Sequence, residues 1–444
     1  MKIITLRKEM PVISREQNKN QKIGEPKTRK NYLYSCKNEA IFSNLIICYQ
    51  NTTLRNKWDR NYSNKRGHLG YAGNITFDKD RPMIYSIDQI VANNTTTFDS
   101  IKVKLRYKFI RNSPTPCMPA PIFNRSDLKI KPLAQRKHDL SRNVIVDLKP
   151  VNCENFTELQ RVAENMHQAK KKASSTIMMI GGHVIRAGVQ RYIIDLMTRG
   201  YIDCLAMNGS GIIHDFELAL IGETTESVAR YIQTGEFGLW RETGRLNDII
   251  NEAFRVDPTA GMGEAVGEAI SFGDYPFKDI SLLATAHKLN IPVTVHVGIG
   301  YDIIHEHPNC DGAATGALSF NDFLKFVSVV ENLQDGVVMN FGSAVMAPEV
   351  FLKALSMARN VAHQKGEEIQ RFTTLVCDLY DLPPDYRSES SKDQPRYYFR
   401  PWKTMLVRTV ADGGKSYYVS ASHEKTIPVL WTFVNAVENH NPLK

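Results

Sequence analysis

Residues 203–224 read DCLAMNGSGIIHDFELALIGET, an apolar run that meets a Gly-Ser-Gly turn and then a helical pattern opening on a histidine and two carboxylates. Gly209 and Gly211 let the backbone turn tightly and leave its N–H groups uncovered. The helix that follows presents its positive dipole end above the turn, so the stretch predicts a strand-turn-helix unit with a site for an anion or a nucleotide. Phe216 and Leu220 fall on one helix face and belong to the core. Asp215 either complements the helix dipole or faces the ligand. His214 sits where the turn exposes it and is assigned a catalytic, ligand-facing role.

Working outward, the same texture covers the chain from about residue 133. Apolar runs at TIMMI (176–180), DCLAM (203–207), PVTVHV (292–297), GVVMNF (336–341) and FTTLVC (372–377) read as strands, followed by MLVRTV (405–410) and SYYVS (416–420). The first five are apolar at nearly every position, the mark of strands covered on both faces. Helical patterns lie between them, as in VQRYIIDLMTRG (189–200), where Ile193, Ile194 and Met197 form the buried stripe and Gly200 the stop. This alternation predicts an α/β class fold, a Rossmann-like parallel sheet with helices on both faces that binds nucleotides at the carboxyl ends of its strands.

The first 130 residues differ. They hold 24 Lys and Arg against 10 Asp and Glu, whereas the rest holds 32 against 37, so the net charge of +9 belongs to an appendage. Low apolar content with one-sided charge predicts a basic, disordered extension over 1–130. A small β module around FDSIKVKLRYKFI (98–110), a nucleic-acid arm and an extension without a selected fold are the other readings. The domain division is therefore 1–130 and 131–444. No apolar stretch approaches the roughly 18 residues of a membrane helix, and MKIITLRKEMP at the start has no signal-peptide core. A cytoplasmic protein is expected. Seven scattered cysteines without a C-x-x-C pair suit reduced thiols, and no metal is assigned.

Three glycine turns follow predicted strands: IGGHVIRAG (180–188), MNGSGIIHD (207–215) and FGSAVMAPE (341–349). None is a dinucleotide fingerprint or a P-loop. Together they point to a nucleotide crevice. The loop HVGIGYDIIHEHPNCDG (296–312) concentrates Asp302, His305, Glu306 and His307, a polar loop whose carboxylates beside Tyr301 suit a cationic amine. A metal site built on its histidines lacks a third ligand at fixed spacing.

The strings IMMIGGHVIRAGVQRYIIDLMTRG, AMNGSGIIHDFELALIGETTE, IPVTVHVGIGYDIIHEHP, NFGSAVMAPEVFLKAL and YYVSASHEKTIPVL resemble deoxyhypusine synthase, in particular its bacterial, deoxyhypusine-synthase-like branch, over about 133–440. The resemblance implies bound NAD, a homotetramer with sites at subunit interfaces, and transfer of the aminobutyl group of spermidine through a lysine imine to a lysine of a translation elongation factor. It places Gly181, Gly182, Gly209, Ser210, Gly211, Asp215, Gly342, Ser343, Thr374 and Asp378 at the cofactor. Asp302, His305, Glu306 and Glu349 are assigned to the polyamine. The family's Trp-Gly-Lys is matched by Trp402-Lys403 without the glycine, which makes Lys403 the candidate nucleophile and Lys415 the second choice. The family's serine-rich first turn, its acidic pair after the second turn and its Lys-His-His in the third are all replaced here. Three alternatives follow: a nucleotide-binding protein without transferase activity, homospermidine-type transfer, and a hydrolase or metal enzyme using His214, His296, His305 and His307.

Overall fold

The computed structural model describes residues 122–439 and the backbone of four short strands before them. The chain divides into two compact units, Met1–Ile122 and Phe123–Lys444. In the first unit, Met83–Val91 pairs antiparallel with Lys102–Phe109, within the stretch read as strand-like, and Cys36–Lys37 pairs with Gly70–Tyr71. The expected disorder of 1–130 otherwise falls outside the described residues. The second unit begins eight residues before the sequence-based boundary. Arg125 secures that early segment by donating to the carbonyls of His307 (3.0 Å) and Cys310 (2.7 Å).

The second unit is built on six strands: β1 (Thr176–Ile180), β2 (Cys204–Asn208), β3 (Val293–His296), β4 (Val337–Phe341), β5 (Thr373–Asp378) and β6 (Lys415–Ser420). All neighbours run parallel, in the order β3-β2-β1-β4-β5-β6. This is the Rossmann order, in which the direction of winding reverses between β1 and β4 and opens a crevice at the carboxyl ends of those strands.

Successive residues of a strand point to opposite faces. Met178, Ile180, Leu205, Met207, Met339 and Phe341 accordingly enter one core and Ile177, Met179, Cys204, Ala206 and Val338 the other. Helices α1 (Thr157–Lys171), α2 (Gly182–Arg186), α3 (Gln190–Thr198), α4 (Gly209–Ile221), α5 (Leu282–Lys288), α6 (Gly312–Glu331), α7 (Met346–Lys365) and α8 (His423–Glu438) follow in chain order. The first core takes Met166 of α1, Leu196 of α3, Phe216 of α4 and Leu430 of α8. The second takes Phe326 of α6 with Phe351 and Leu355 of α7. Both faces of the sheet are covered, as strands without polar alternation require.

The run 405–410, expected as a strand, lies instead mainly in a wide helical turn over Pro401–Arg408, in which Thr409 N–H reaches back to Thr404 O (3.1 Å). Trp402, Met405 and Leu406 fall at helical spacing and enter the second core, while Arg408 points outward. Pro at the first helical position favours that outcome. In α3 the buried stripe is Ile193, Leu196 and Met197, with Ile194 only half-buried, and the helix stops before Gly200.

Candidate functional site

The three glycine turns meet at the switch point. Gly181 N–H donates to Phe341 O (3.0 Å), and a methyl group on Gly181 would lie 2.7 Å from Gly342 O. On the other side, a methyl on Gly182 would overlap Ser210 Oγ and lie 3.2 Å from His214 Cδ2, and one on Gly209 would overlap the Asp302 carboxylate. Gly342, at φ +66°, lies against His423. Every strand therefore delivers a residue to one rim: Asp302 after β3, Gly209 and Ser210 after β2, Gly181 and Gly182 after β1, Gly342 after β4, Asp378 ending β5, and His423 after β6. Glycines packed this closely leave the backbone bare where side chains would fill the crevice.

Several predicted residues turn out to shape these turns. Asn208 Oδ1 caps α4, accepting from Gly211 N–H (3.2 Å) and Ser210 Oγ–H (2.9 Å). Gly211 itself packs on Met207. Ser343 Oγ accepts from Ala347 N–H (3.0 Å) in the first turn of α7, so its hydroxyl is a cap. Asp378 Oδ1 accepts from the N–H groups of Leu379 (2.7 Å) and Tyr380 (3.1 Å).

Two cofactor assignments are corrected by position. Asp215 faces away from the rim, where it accepts from Ser281 Oγ–H (2.6 Å), Leu282 N–H (2.8 Å) and Leu283 N–H (3.2 Å) and so caps α5 from below. Burial pushes its carboxyl up to about 6, against those hydrogen bonds. Thr374 lies at the amino end of β5, four residues from the rim, and its hydroxyl donates to Met405 O (2.9 Å). Glu349, in the first turn of α7, forms ion pairs with Arg400 (2.9 Å) and Lys353. Lys403 Nζ lies 4.1 Å from the centre of the Tyr397 ring and 5.8 Å from that of Tyr398. Lys415 opens β6 at the end opposite the rim.

His214 stands at the rim beside Gly182, more buried than the turn alone suggests, and a buried network stands behind it. Its Nδ1 lies 2.9 Å from Thr224 Oγ1, and the Thr224 hydroxyl donates to Glu217 Oε2 (2.7 Å). Glu217 also accepts a bidentate pair from Arg136 (2.9 and 2.8 Å) and a hydroxyl hydrogen from Thr243. Burial alone would raise the Glu217 carboxyl, but Arg136 and the two hydroxyls outweigh it and hold the group ionised, below its ordinary range. Burial likewise pushes the His214 imidazole down to about 4, against the attraction of Glu217.

On the other flank, Asp302 is only 9% exposed and its Oδ2 is buried without a hydrogen-bond partner. Burial raises this carboxyl to about 6. His305 Nδ1 accepts from Gly300 N–H (3.2 Å) and Asp302 N–H (3.4 Å), which places its proton on Nε2, a second buried atom without a partner. Glu306 is exposed and lies beside Gly238. His307 bonds the Gly238 carbonyl (2.8 Å), and His296 pairs with Thr294 (3.0 Å) with its ring edge on Phe326. The four histidines proposed for a metal or hydrolytic site thus have four separate sets of partners. Among the described residues no three His, Cys, Asp or Glu side chains stand together as a metal site.

Sequence reasoning missed Thr224, Thr243, Arg136 and His423. Only Glu217 carried a signal, because a residue three positions after His214 shares its helix face.

A family model described as the C-terminal Rossmann-fold domain of ArgZ-like arginine dihydrolases matches residues 160–251, from α1 through β1, β2 and α4. Among solved structures, apo ArgZ, an arginine dihydrolase from the ornithine-ammonia cycle in cyanobacteria, aligns at 14% identity over 63% of this chain and 32% of its own, with a TM-score of 0.36. AgrE in its ternary complex with ornithine and NAD+ aligns at 12% identity over 65% of this chain and 34% of its own, with a TM-score of 0.38. A protein assigned as a deoxyhypusine synthase from Entamoeba histolytica aligns at 10% identity over 63% of this chain and 88% of its own, with a TM-score of 0.34. The chain spans about a third of the length of ArgZ and AgrE. No curated protein matches the sequence. The fold is a Rossmann-type α/β fold, consistent with NAD as cofactor, and the match does not single out deoxyhypusine synthase, the family whose motifs the chain resembles. Among the described residues no helix is long and apolar enough to cross a membrane.

Proposed function

We propose that the second unit is an NAD-dependent enzyme acting on a small cationic amine, with the dinucleotide in the crevice between β1 and β4 and the amine between His214 and Asp302. The observation that carries this reading is the mutual contact of the glycine turns after β1, β2 and β4 at the switch point, flanked by an imidazole and a buried carboxylate oxygen without a partner. The residues present fit NAD. Backbone bared at Gly181, Gly182, Gly209 and Gly342 gives a phosphate chain close approach, Ser210 adds a hydroxyl, and Asp378 is the carboxylate for a ribose. When bound, NAD supplies a two-electron acceptor.

The chain's own groups do the rest. Asp302, buried and with its Oδ2 unpartnered, gains most from an ammonium group that supplies both charge and N–H donors. His214, neutral at physiological pH, takes a hydrogen bond or proton from the amine, and the charge that forms is shared through Thr224 with Glu217.

The resemblance to deoxyhypusine synthase supports a narrower form of this reading, in which spermidine or a related polyamine is the donor, a protein lysine or a second amine is the acceptor, and a cytosolic homotetramer is the working unit. What favours it is that Lys403 is only 8% exposed and lies against aromatic rings.

Calorimetric titration with NAD, followed by a screen of basic amino acids, diamines and spermidine for reduction of the nicotinamide, tests the broader reading. Gly182→Val should abolish measurable NAD binding, since its Cβ already overlaps Ser210 Oγ. Undiminished binding in that variant would refute the placement. Borohydride trapping of labelled spermidine on Lys403 tests the narrower form.

A further inference from the structure

The buried group behind His214 is larger than a capping arrangement needs. Arg136 comes from the segment before the sheet, Glu217 from the same helix as His214, and Thr224 and Thr243 from the stretch after that helix, so parts of the chain up to 107 residues apart converge on one carboxylate. Arg136 and Glu217 are each about 1% exposed in their side chains. An ion pair removed from water this fully is weak support for stability, because desolvation offsets most of the attraction. It is well suited to fixing the orientation of whatever it touches.

What it touches is a hydroxyl with a single hydrogen. Ionised Glu217 has no proton to give, so the 2.7 Å contact is a bond donated by Thr224. With that hydrogen spent, Thr224 Oγ1 has only lone pairs left for the imidazole 2.9 Å away. Nδ1 must then carry the proton.

We infer that Thr224, oriented by the Glu217–Arg136 pair, is a positioning residue that locks His214 in its Nδ1–H tautomer and leaves Nε2 as a hydrogen-bond acceptor on the Gly182 side of the crevice. A ligand group meeting Nε2 has to be a donor, an N–H or O–H. When Nε2 takes a proton from an amine, the substrate N–H bond breaks, the Nε2–H bond forms, and the positive charge rests on an imidazolium whose Nδ1–H still points through Thr224 to the Glu217 carboxylate. The charged groups around the ring are Glu217 on its own helix, Arg136 on the preceding segment, and His183 and Arg186 on α2. Glu217 alone favours the charged ring. The catalytic half of this inference rests on the amine-enzyme reading above, whereas the tautomer does not.

Side-chain nitrogen NMR of the full chain with labelled histidine, with His214→Gln to identify the resonance, reads the tautomer directly. The wild-type ring should show Nδ1 protonated and Nε2 bare at neutral pH. Thr224→Val should move the proton wholly or partly to Nε2, and Thr224→Ser should restore the wild-type pattern. With an amine substrate in hand, Thr224→Val should lower kcat on the order of a hundredfold with little change in the KM for NAD, and Thr224→Ser should recover most of it. A wild-type ring protonated on Nε2, or a Thr224→Val ring indistinguishable from wild type, overturns the inference, and the wild-type measurement needs no variant to fold. The correct tautomers in a protein that turns over no amine would uphold the relay while removing the proposed function.

Discussion

Replacing Asp302 by Asn should stabilise the protein while weakening its grip on an amine. The carboxyl is nearly the same shape as the amide, but its Oδ2 is buried without a partner and burial raises it from 3.8 to about 6. At a pH well above 6, holding it ionised costs about 3 kcal/mol, from a shift of roughly 2 units at about 1.4 kcal/mol each. The amide recovers that cost but leaves its own polar atoms imperfectly paired, a loss of about 1–2 kcal/mol. The net gain expected is about 1–2 kcal/mol. Its sign with pH follows from the raised pKa: the folded state keeps the proton that the unfolded chain releases, so the wild-type stability is full below the unfolded value of 3.8 and is lost as pH rises through about 6. The advantage of Asp302→Asn should thus be largest near pH 8 and much reduced near pH 5. Urea denaturation of both proteins at the two pH values measures it. In parallel, amine affinity at saturating NAD should fall about tenfold or more, the loss of one charge-assisted contact. A variant no more stable than wild type near pH 8, or one whose gain is unchanged near pH 5, refutes the account of Asp302 as a buried carboxylate with an unpartnered oxygen.

Three further outcomes follow. Asp215→Ala should cost about 2–3 kcal/mol in denaturation, because it removes three hydrogen bonds to the start of α5, and should leave the NAD dissociation constant within about twofold. Burial lowers both His214 and His296 from 6.5 to about 4, so the folded state refuses protons that the unfolded chain takes up; stability should fall as pH drops from 6.5 towards 4, and His296→Gln should flatten that fall in thermal melts across the range. Lys403→Met should leave NAD affinity unchanged in titration, since Lys403 stacks on Tyr397 and takes no part in the glycine rim.

Much of the architecture was legible in the residues themselves. A strand covered on both faces must be apolar at every position, so TIMMI and VVMNF declared a sheet sandwiched between helix layers before any neighbour was known. Local reading failed where burial pattern and helical spacing compete, as at Met405 and Leu406, whose apolar run suits either a strand or the turn of helix that Pro401 begins. It failed again where direction decides: Asp215 directly follows His214, yet on a helix neighbouring side chains point about 100° apart, so one faces the rim and the other the start of α5.

The sequence alone determined that glycine turns end three strands and that a histidine follows one of them by three residues, because those features depend on backbone freedom within a few residues. Tertiary structure decided that β1 and β4 are neighbours, that their turns touch, and that Arg136, Glu217, Thr224 and Thr243 converge behind His214. No local periodicity encodes those meetings. They arise only when the order of strands brings distant segments to one edge, where burial leaves each polar group no partner but the others.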